Sequence, residues 1–456
     1  KTFGYQFNVN SPLLNGRLGA YHGSELPYLF GSWENNFSDW CSQDAKIIAE
    51  FLQTSWTNFA KTGSPSSESY DWQTYSKNNL VAQIDSKVEL KPYNSISKIK
   101  LLYEFMEKPM KMLILGASYG SLLSTKLLMA GHEVTLICRD ETARLINKDG
   151  THVRIKLRGE DEFRNLHSKD FTGTVTAATP DSVNPVDFDM ICLAMQEPQY
   201  SEPSVRTLME KIAASKKPCL SIMNMPPLPY LRRIKNLENA KLESCYCDPE
   251  LWANFEPGLM SLCSPDPQAF RPAGEPANIL HVGLPTNFKA AAFANPKHTA
   301  MLRELEKDIA AVTLDGLDVP VKLRVYDSLF VPMAKWSMLL TGNFRCIMQE
   351  GEQSIRDAVL GDVEASQAIY SWVDALSRQL GADSVDQVPF EKYKTAANSL
   401  LKPSSGARAV GAGAKRIERV DRLVQLIGAE MGTKNSAVDA LVAVVDARLD
   451  KNTRIA

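Results

Sequence analysis

The pattern of apolar and polar positions changes near residue 108, and the two sides predict different structures. Before that point the sequence is rich in aromatic residues, Asn and Ser, and its regular segments are short. Residues 1–9 (KTFGYQFNV) predict a strand, and residues 44–63 predict an amphipathic helix closed by Gly63. Residues 95–109 predict a last helix, which Pro109 stops. These few elements cannot build a large core, so we predict a separate domain at residues 1–108.

Beyond Pro109, short apolar segments alternate with segments of helical periodicity. Strands are predicted at residues 111–116 (KMLILG), 132–139 (HEVTLICR), 187–195 (DFDMICLAM) and 217–224 (KPCLSIMN), and a helix at 121–131. Such alternation predicts an α/β fold, in which a parallel, Rossmann-type sheet has helices on both faces. We assign this domain to residues 110–290.

The last part of the chain has a helical pattern. Leu302, Leu305 and Ile309 recur at helical spacing within residues 296–312. Residues 328–340 (SLFVPMAKWSMLL) predict one long, mostly apolar helix with Lys335 in its middle. A lysine there either extends its ammonium to the surface or lines a polar pocket. We predict an all-helical domain at residues 291–456.

Composition narrows the classes of function. The chain has 456 residues, 44% of them hydrophobic, and no apolar run is long enough to cross a bilayer. The formal net charge is −2, so the chain lacks the excess of positive charge that is typical of proteins that bind nucleic acid or a membrane surface. The eight cysteines include no C-x-x-C pair, so we expect reduced thiols and no metal site. The sequence does not begin with a targeting segment, which favours a cytoplasmic location. The abrupt start at Lys1 leaves open that a further segment precedes it.

Gly116, Ala117, Ser118, Tyr119 and Gly120 lie between a predicted strand and a predicted helix, and they allow two interpretations. As G-x-S-x-G they fit the nucleophile elbow of a serine hydrolase, with Ser118 as nucleophile. That chemistry needs an acid and then a histidine further along the chain. The later histidines lie in no suitable loop, so we expect this match to be coincidental.

The second interpretation is a dinucleotide-binding turn. The G-x-G-x-x-G spacing would place glycines at 116, 118 and 121, where this chain has Gly116, Ser118 and Ser121, and Gly120 would add backbone freedom nearby. Backbone N–H groups at such a helix start bind a pyrophosphate. The next strand ends at Arg139, where an arginine accommodates the 2′-phosphate of NADP and where the alternative is a solvated surface charge. We favour NADP binding by this turn and Arg139.

Residues 1–107 resemble the C-terminal end of type-B carboxylesterases and cholinesterases. The resemblance lies in GAYHGSELPYLFG (19–31), WTNFAKTGSP (56–65) and WQTY (72–75). It implies a C-terminal fragment of an α/β-hydrolase with His22 at the position of the triad histidine, followed by Glu25 at the family's spacing. The family's nucleophile and triad acid would precede residue 1. His22 would therefore be catalytic only with a separate chain that supplies them, and the alternative is a remnant or appended domain.

From Met110 onward the chain resembles the ketopantoate reductase (2-dehydropantoate 2-reductase) family, with extra sequence between about 225 and 275. The resemblance lies in MKMLILGASYGSLL, GHEVTLICRDE, LSIMN, MAKWSMLLTGN and KRIERVDRL. It implies an NADP-binding Rossmann domain, a helical domain, and reduction of a 2-keto acid by hydride transfer. It further implies that Lys335 is the general acid, that Glu418, Asn343 and Ser405 bind substrate, and that Asn224 contacts the cofactor.

Two of these residues also have a plainer interpretation. Asn343 could cap a helix end, and Glu418 could form a salt bridge on an exposed helix face. The chain also departs from the family, because Leu339 replaces an asparagine, Leu193 replaces a lysine, and the Gln-Asn-Gly turn reads Met-Asn-Met. Loss of polar anchors argues against ketopantoate itself and for a larger or less polar substrate.

We therefore expect an NADPH-dependent reductase of a 2-keto acid or related carbonyl compound. We expect it to bind a small-molecule substrate, and we expect no binding to nucleic acid or to a membrane. The sequence also allows a homodimer. One alternative is an esterase subunit in which His22 completes a triad with another chain. A second alternative is a nucleotide-binding protein without catalytic activity.

Overall fold

The computed structural model divides into two compact units, Lys1–Lys108 and Pro109–Ala456. Within these units the structure describes residues 2–10, 20, 22–32, 43–75, 80–85, 87–92 and 109–455. Over these ranges, no helix has both the length and the apolar character needed to cross a bilayer.

The described part of the first unit contains a small sheet and two helices. Its elements are strands β1 (Gly4–Phe7), β2 (Leu80–Ile84) and β3 (Val88–Pro92), and helices Leu26–Phe30 and Gln43–Thr62. β2 pairs with β1 in parallel and with β3 antiparallel. Ile48 and Leu52 of the long helix pack with Trp72 in the core of this unit. The predicted strand and amphipathic helix are confirmed, whereas the helix predicted at 95–109 lies outside the described residues.

The second unit contains two larger sheets and one short hairpin. In chain order its strands are β4 (Lys111–Leu115), β5 (Glu133–Ile137), β6 (His152–Lys156), β7 (Phe163–His167), β8 (Thr174–Ala178), β9 (Met190–Leu193), β10 (Cys219–Ile222), β11 (Met260–Ser264), β12 (Gln268–Phe270), β13 (Ile279–Leu284), β14 (Phe288–Ala291), β15 (Thr313–Leu314), β16 (Leu317–Asp318) and β17 (Leu323–Tyr326). The large sheet has the order β17-β14-β11-β10-β9-β4-β5-β8, and a smaller one has the order β12-β13-β6-β7.

The large sheet is parallel from β8 to β11, and β14 and β17 run in the opposite direction. Its central strands are continuous apolar runs, because helices cover both faces. Strand order reverses at β4, which lies between β5 and β9. Ligands of open α/β sheets bind beyond the carboxyl ends of strands at such a reversal. The glycine turn predicted at residues 116–120 follows β4 directly.

Helices flank the sheet and form the C-terminal region of the second unit. Those nearer the sheet are Tyr119–Met129, Asp140–Asp149, Pro203–Ser215, Leu228–Leu231, Pro249–Ala253 and Pro296–Ala311, and the later ones are Trp336–Met338, Ile355–Leu360, Val363–Gln379, Phe390–Ala397, Ser405–Gly411, Val420–Glu430 and Ser436–Ile455. The predicted mixed α/β fold with a helical C-terminal region is confirmed. The boundary at residue 290 stays a prediction, and strands of the sheet lie on both sides of it.

The single long helix predicted at residues 328–340 is wrong. The chain there forms a 3-10 turn at Val331–Met333, an α-turn at Trp336–Met338 and a π-turn at Leu339–Asn343. Pro332 lies in the first turn, where its missing N–H is tolerated. The amide of Phe344 donates to the carbonyl of Leu339, five residues back, at 2.9 Å. Such π-turns are frequent at functional sites, and this one ends at Asn343.

Candidate active site

Gly116 has a backbone conformation that the turn after β4 requires. Its φ is +106°, and a Cβ atom there would lie 2.6 Å from the carbonyl oxygen of Ala194. A side chain would therefore strain the backbone and clash with the loop that follows β9. The helix Tyr119–Met129 begins directly after this turn, and no side chain caps its first amides. These amides are available to an anion.

Gly120 serves close packing, which corrects our expectation that it adds backbone freedom. A Cβ atom at Gly120 would lie 2.7 Å from Cγ2 of Ile114 on β4, and its φ is not positive. It therefore allows the helix to approach the strand, as the third glycine of the dinucleotide motif does. The buried Ser121 at the motif position donates its hydroxyl to the carbonyl of Ala117 at 2.6 Å.

Ser118 does not have the surroundings of a serine nucleophile. It is exposed at the start of the helix, and its side chain makes no capping hydrogen bond. The histidines of the second unit are engaged elsewhere. His132 accepts from the amide of Met110 and faces Asp308, and the rings of His152 and His167 pack together. The rings of His281 and His298 pack against phenylalanine side chains. The interpretation of residues 116–120 as an elbow therefore has no support from this geometry.

Arg139 lies where the second strand of the sheet ends. It is exposed and directly precedes the helix Asp140–Asp149. Arg271, which the sequence analysis missed, lies within electrostatic range of Arg139. Its guanidinium donates to the carbonyl of Ala117 on the glycine turn at 2.9 Å. Burial and the charge of Arg139 lower the pKa of Arg271. One cation, Arg271, thus contacts the turn directly, and Arg139 lies within electrostatic range of that cation.

A cavity of about 70 Å³ brings together four of the substrate- and cofactor-binding residues expected from the sequence. Asn224 follows β10, Asn343 ends the π-turn, Ser405 begins the helix Ser405–Gly411, and Glu418 lies in the loop before the helix Val420–Glu430. The remaining lining residues are mostly apolar and include Leu339, Phe344, Ile347, Ala409, Ile417 and Val420. Polar groups thus converge in a small cleft whose remaining lining is mostly apolar.

Glu418 does not lie on an exposed helix face, contrary to the plainer interpretation. One of its oxygens accepts from the amide of Glu197 at 3.4 Å, and its side chain also hydrogen-bonds Asn224. Burial, together with the charge of the Glu197 carboxyl, raises the pKa of Glu418 to about 8. The hydrogen bonds from the Glu197 amide and from Asn224 act in the opposite direction, as does the charge of Lys335, which lies within electrostatic range. The buried side-chain oxygen of Asn224 has no hydrogen-bond partner. An unpaired buried acceptor beside a carboxyl group is suited to a ligand.

Lys335 lies outside the cavity lining, and a carboxylate holds its ammonium. Its Nζ is 3.1 Å from Oδ1 of Asp266 and donates to the carbonyl of Pro265 at 3.1 Å. The sequence analysis missed Asp266 because it lies in the extra segment, which the family resemblance does not cover. The Pro-Asp-Pro run that follows a buried strand was the available signal.

Glu197 is a second buried carboxyl group that the sequence analysis missed. Its side chain accepts from the amide of Cys247 at 3.0 Å and from the indole N–H of Trp252 at 3.3 Å. Burial raises its pKa. Because its own amide reaches Glu418, Glu197 connects the extra segment to the cavity.

His22 belongs to the first unit, where the structure shows it exposed. Glu25, three residues on, accepts a hydrogen bond from the hydroxyl of Tyr5 at 3.4 Å. The structure does not bring a serine and an acid to His22 within the described ranges of this unit. Nor do the residues described across the chain contain a cluster of three or more His, Cys, Asp or Glu side chains able to hold a metal ion.

Comparison with known proteins separates the two parts of the chain. Residues 1–100 match the Carboxylesterase family. The para-nitrobenzyl esterase of Bacillus subtilis (strain 168) is 30% identical over 79 residues, which are 16% of this chain and 16% of that enzyme. The chain therefore spans only about a sixth of the length of the curated esterase that it matches.

Solved structures match the other part. A putative ketopantoate reductase from Ralstonia solanacearum MolK2 superposes with a TM-score of 0.54 and 16% identity, covering 76% of this chain and 99% of that one. D-mandelate dehydrogenase, in a ternary structure with NADH and anilino(oxo)acetate, superposes with a TM-score of 0.51 and 15% identity, covering 75% and 100%. The chain thus joins a segment related to carboxylesterases to a larger part that has the fold of ketopantoate reductases.

Proposed function

We propose that this protein is an NADPH-dependent reductase of a 2-keto acid or a related carbonyl compound. The observation that carries the proposal is the cavity in which Asn224, Asn343, Ser405 and Glu418 meet, together with Lys335, which lies within electrostatic range of Glu418. This cavity is lined from β10 and from the helical region, and the glycine turn follows β4 in the same sheet. Several elements thus supply one site, as expected at the reversal of an α/β sheet.

The residues present fit a dinucleotide. The turn at Gly116 leaves no room for a Cβ atom, and the helix amides that follow it are uncapped. These amides would hold the pyrophosphate, and Arg139 with Arg271 would face a 2′-phosphate. When bound, a reduced nicotinamide supplies a hydride. The similar D-mandelate dehydrogenase structure contains NADH, so the preference for NADPH rests on the two arginines of this chain.

Lys335 would act as the proton donor. Addition of a hydride to a carbonyl carbon moves the π electron pair to oxygen, and a nearby ammonium stabilises that charge and protonates the oxygen. Glu418, Asn343 and Ser405 would orient the substrate by hydrogen bonds. The unpaired oxygen of Asn224 would accept a bond from the nicotinamide amide group or from the substrate. Leu193 and Leu339 supply no polar group, so we propose a substrate that is larger or less polar than ketopantoate.

Arg139→Ala is expected to narrow the preference for NADPH over NADH by about tenfold, because one charge-assisted contact to the 2′-phosphate is lost. The Kd values for both nucleotides, measured by calorimetry, give that ratio. Arg144→Ala is the matched control, since Arg144 is exposed on the helix that follows Arg139 and pairs with Asp140 at 2.6 Å. An unchanged ratio of the two Kd values in Arg139→Ala would refute a contact between Arg139 and the 2′-phosphate. An equal change in both variants would mean that only the overall positive charge, and not a specific contact, sets the preference.

Glu418 is expected to make the stability of the protein depend on pH. Its pKa is about 8 in the folded state against an ordinary 4.5, so the folded protein retains this proton over that window. The stabilisation is complete below pH 4.5 and is lost as pH rises through 8. Glu418→Gln keeps the neutral form, so its free energy of unfolding should fall less over this range, by on the order of a few kcal/mol. Urea unfolding of both proteins tests this, and equal pH dependence would contradict it.

A second proposal concerns the first unit, and the Carboxylesterase family match at residues 1–100 favours it. We propose that residues 1–108 derive from the end of an α/β-hydrolase and that His22 occupies the place of the triad histidine. Hydrolysis would then require a serine and an acid from outside the described residues. Ester turnover that appears only after a separate chain with these two residues is added, and that disappears in His22→Ala, would support this activity. Turnover unaffected by His22→Ala would exclude a role for His22.

A further inference from the structure

We propose that Asp266 is a positioning residue that holds the Lys335 ammonium in place and keeps it charged for proton transfer. This inference rests on the proposed reductase function. Oδ1 of Asp266 lies 3.1 Å from Nζ of Lys335, and Oδ2 lies 3.0 Å from Nζ of Lys289. The hydroxyl of Ser264 also donates to Asp266. One carboxylate therefore uses both oxygens to bind two ammonium groups.

The segment that contains Asp266 is fixed to the glycine turn. The hydroxyl of Tyr119 donates to the carbonyl of Pro265 at 3.2 Å and also to that of Pro267. Arg271, a few residues further on, binds the carbonyl of Ala117. The same short segment thus connects the proposed cofactor turn to Lys335. This connection would set the position of the ammonium relative to a nucleotide bound at the turn.

Asp266 is only 13% exposed, whereas Lys335 is 28% exposed. Burial raises the pKa of Asp266, but Lys335, Lys289 and the Ser264 hydroxyl outweigh burial, so its pKa lies below the ordinary value. The ionised carboxylate and the Lys335 ammonium, 3.1 Å apart, therefore attract each other directly. The other titratable groups that interact with this pair are Tyr119, Cys263 and Glu418.

The proton balance of the proposed step is closed. Lys335 gives one proton to the carbonyl oxygen as the hydride adds to the carbon, and the lysine is left as a neutral amine. The amine then takes a proton from water, which its partial exposure allows. Asp266 keeps its charge throughout and neither accepts nor donates a proton. Its effect is to make reprotonation of Lys335 favourable and to limit the directions in which the ammonium points.

An ion pair that serves stability alone would have the same distances, so the test must report on Lys335 itself. The full chain is treated with an amine-methylating reagent over a range of pH, and modification of Lys335 is quantified by peptide mass spectrometry. In Asp266→Asn, the pH at half-maximal modification of Lys335 should fall by about one unit. In Lys289→Met, it should rise, because a competing cation is removed. A general loss of stability would change the modification midpoint of Lys335 in the same direction in both variants, so shifts in opposite directions indicate an electrostatic effect.

Turnover supplies the second readout. If the protein reduces a 2-keto acid, the high-pH limb of kcat/KM in Asp266→Asn should move to lower pH by the same amount, and Asp266→Glu should restore part of it. An unchanged modification midpoint in Asp266→Asn, or a downward shift in Lys289→Met, overturns the inference. If Asp266→Asn does not fold, the change in the modification midpoint of Lys335 in Lys289→Met tests the inference by itself. Shifted modification without turnover in the wild type would uphold the ion-pair effect and refute the reductase proposal.

Discussion

Lys335→Met is expected to lower kcat for carbonyl reduction by about 10²–10⁴-fold and to leave the Kd for NADPH nearly unchanged. Methionine keeps the length and apolar stem of the lysine but removes the proton donor and the positive charge. The charge that develops on the substrate oxygen is then left without a protein partner. Pre-steady-state mixing with NADPH and a reducible keto acid measures the chemical step directly.

The control for this experiment is Lys392→Met, which removes an exposed lysine on the helix Phe390–Ala397. Its kcat should match that of the wild type. A loss of activity in Lys335→Met that comes with an equal loss of NADPH affinity would point to a binding role. Full activity in Lys335→Met would remove Lys335 from the chemistry and leave Glu418 as the nearest candidate acid.

Gly116→Ala is expected to lower the free energy of unfolding by about 3 kcal/mol and to abolish nucleotide binding. Two effects combine, because the backbone has a φ of +106° and the new methyl group would lie 2.6 Å from the carbonyl oxygen of Ala194. Relief of the clash requires the turn after β4 to separate from the loop after β9. That movement would displace the amides proposed to bind the pyrophosphate. Urea unfolding and NADPH calorimetry measure the two results.

Gly159→Ala separates backbone strain from the clash. Gly159 has a φ of +85°, but nothing lies within 4 Å of the Cβ position. Its substitution should cost only about 1 kcal/mol, and it should leave nucleotide binding intact. Equal losses in the two variants would mean that close approach to Ala194 contributes nothing, and retained NADPH binding by Gly116→Ala would place the nucleotide elsewhere.

The sequence predicts four central strands of the large sheet, β4, β5, β9 and β10, because they are short apolar runs bounded by turn residues. The sequence does not predict the other four strands of that sheet. It fails at residues 328–340, where an apolar pattern with helical spacing does not distinguish one helix from successive 3-10, α and π turns. Those turns differ only in which carbonyl each amide binds, and tertiary packing decides between them. Gly120 illustrates the same limit, since its role depends on Ile114 in a neighbouring element.

The candidate site could be predicted where the family resemblance extends, as the meeting of Asn224, Asn343, Ser405 and Glu418 illustrates. Their roles remain proposals. Contacts made by the extra segment could not be predicted, because Asp266 reaches Lys335 only after the chain passes through β11 and turns toward the helical region. Such long-range ion pairs have no local sequence pattern.

The central claim is that this protein binds NADPH and uses it to reduce a carbonyl compound. The most direct test follows NADPH absorbance after the 456-residue chain is mixed with NADPH and each member of a panel of 2-keto acids with side chains of increasing size and decreasing polarity. We predict NADPH-dependent reduction of at least one keto acid that is less polar than ketopantoate by the wild type and strongly reduced activity in Lys335→Met. Absence of binding to both NADPH and NADH would contradict the claim, and binding without turnover of any keto acid would reduce this protein to a nucleotide-binding one.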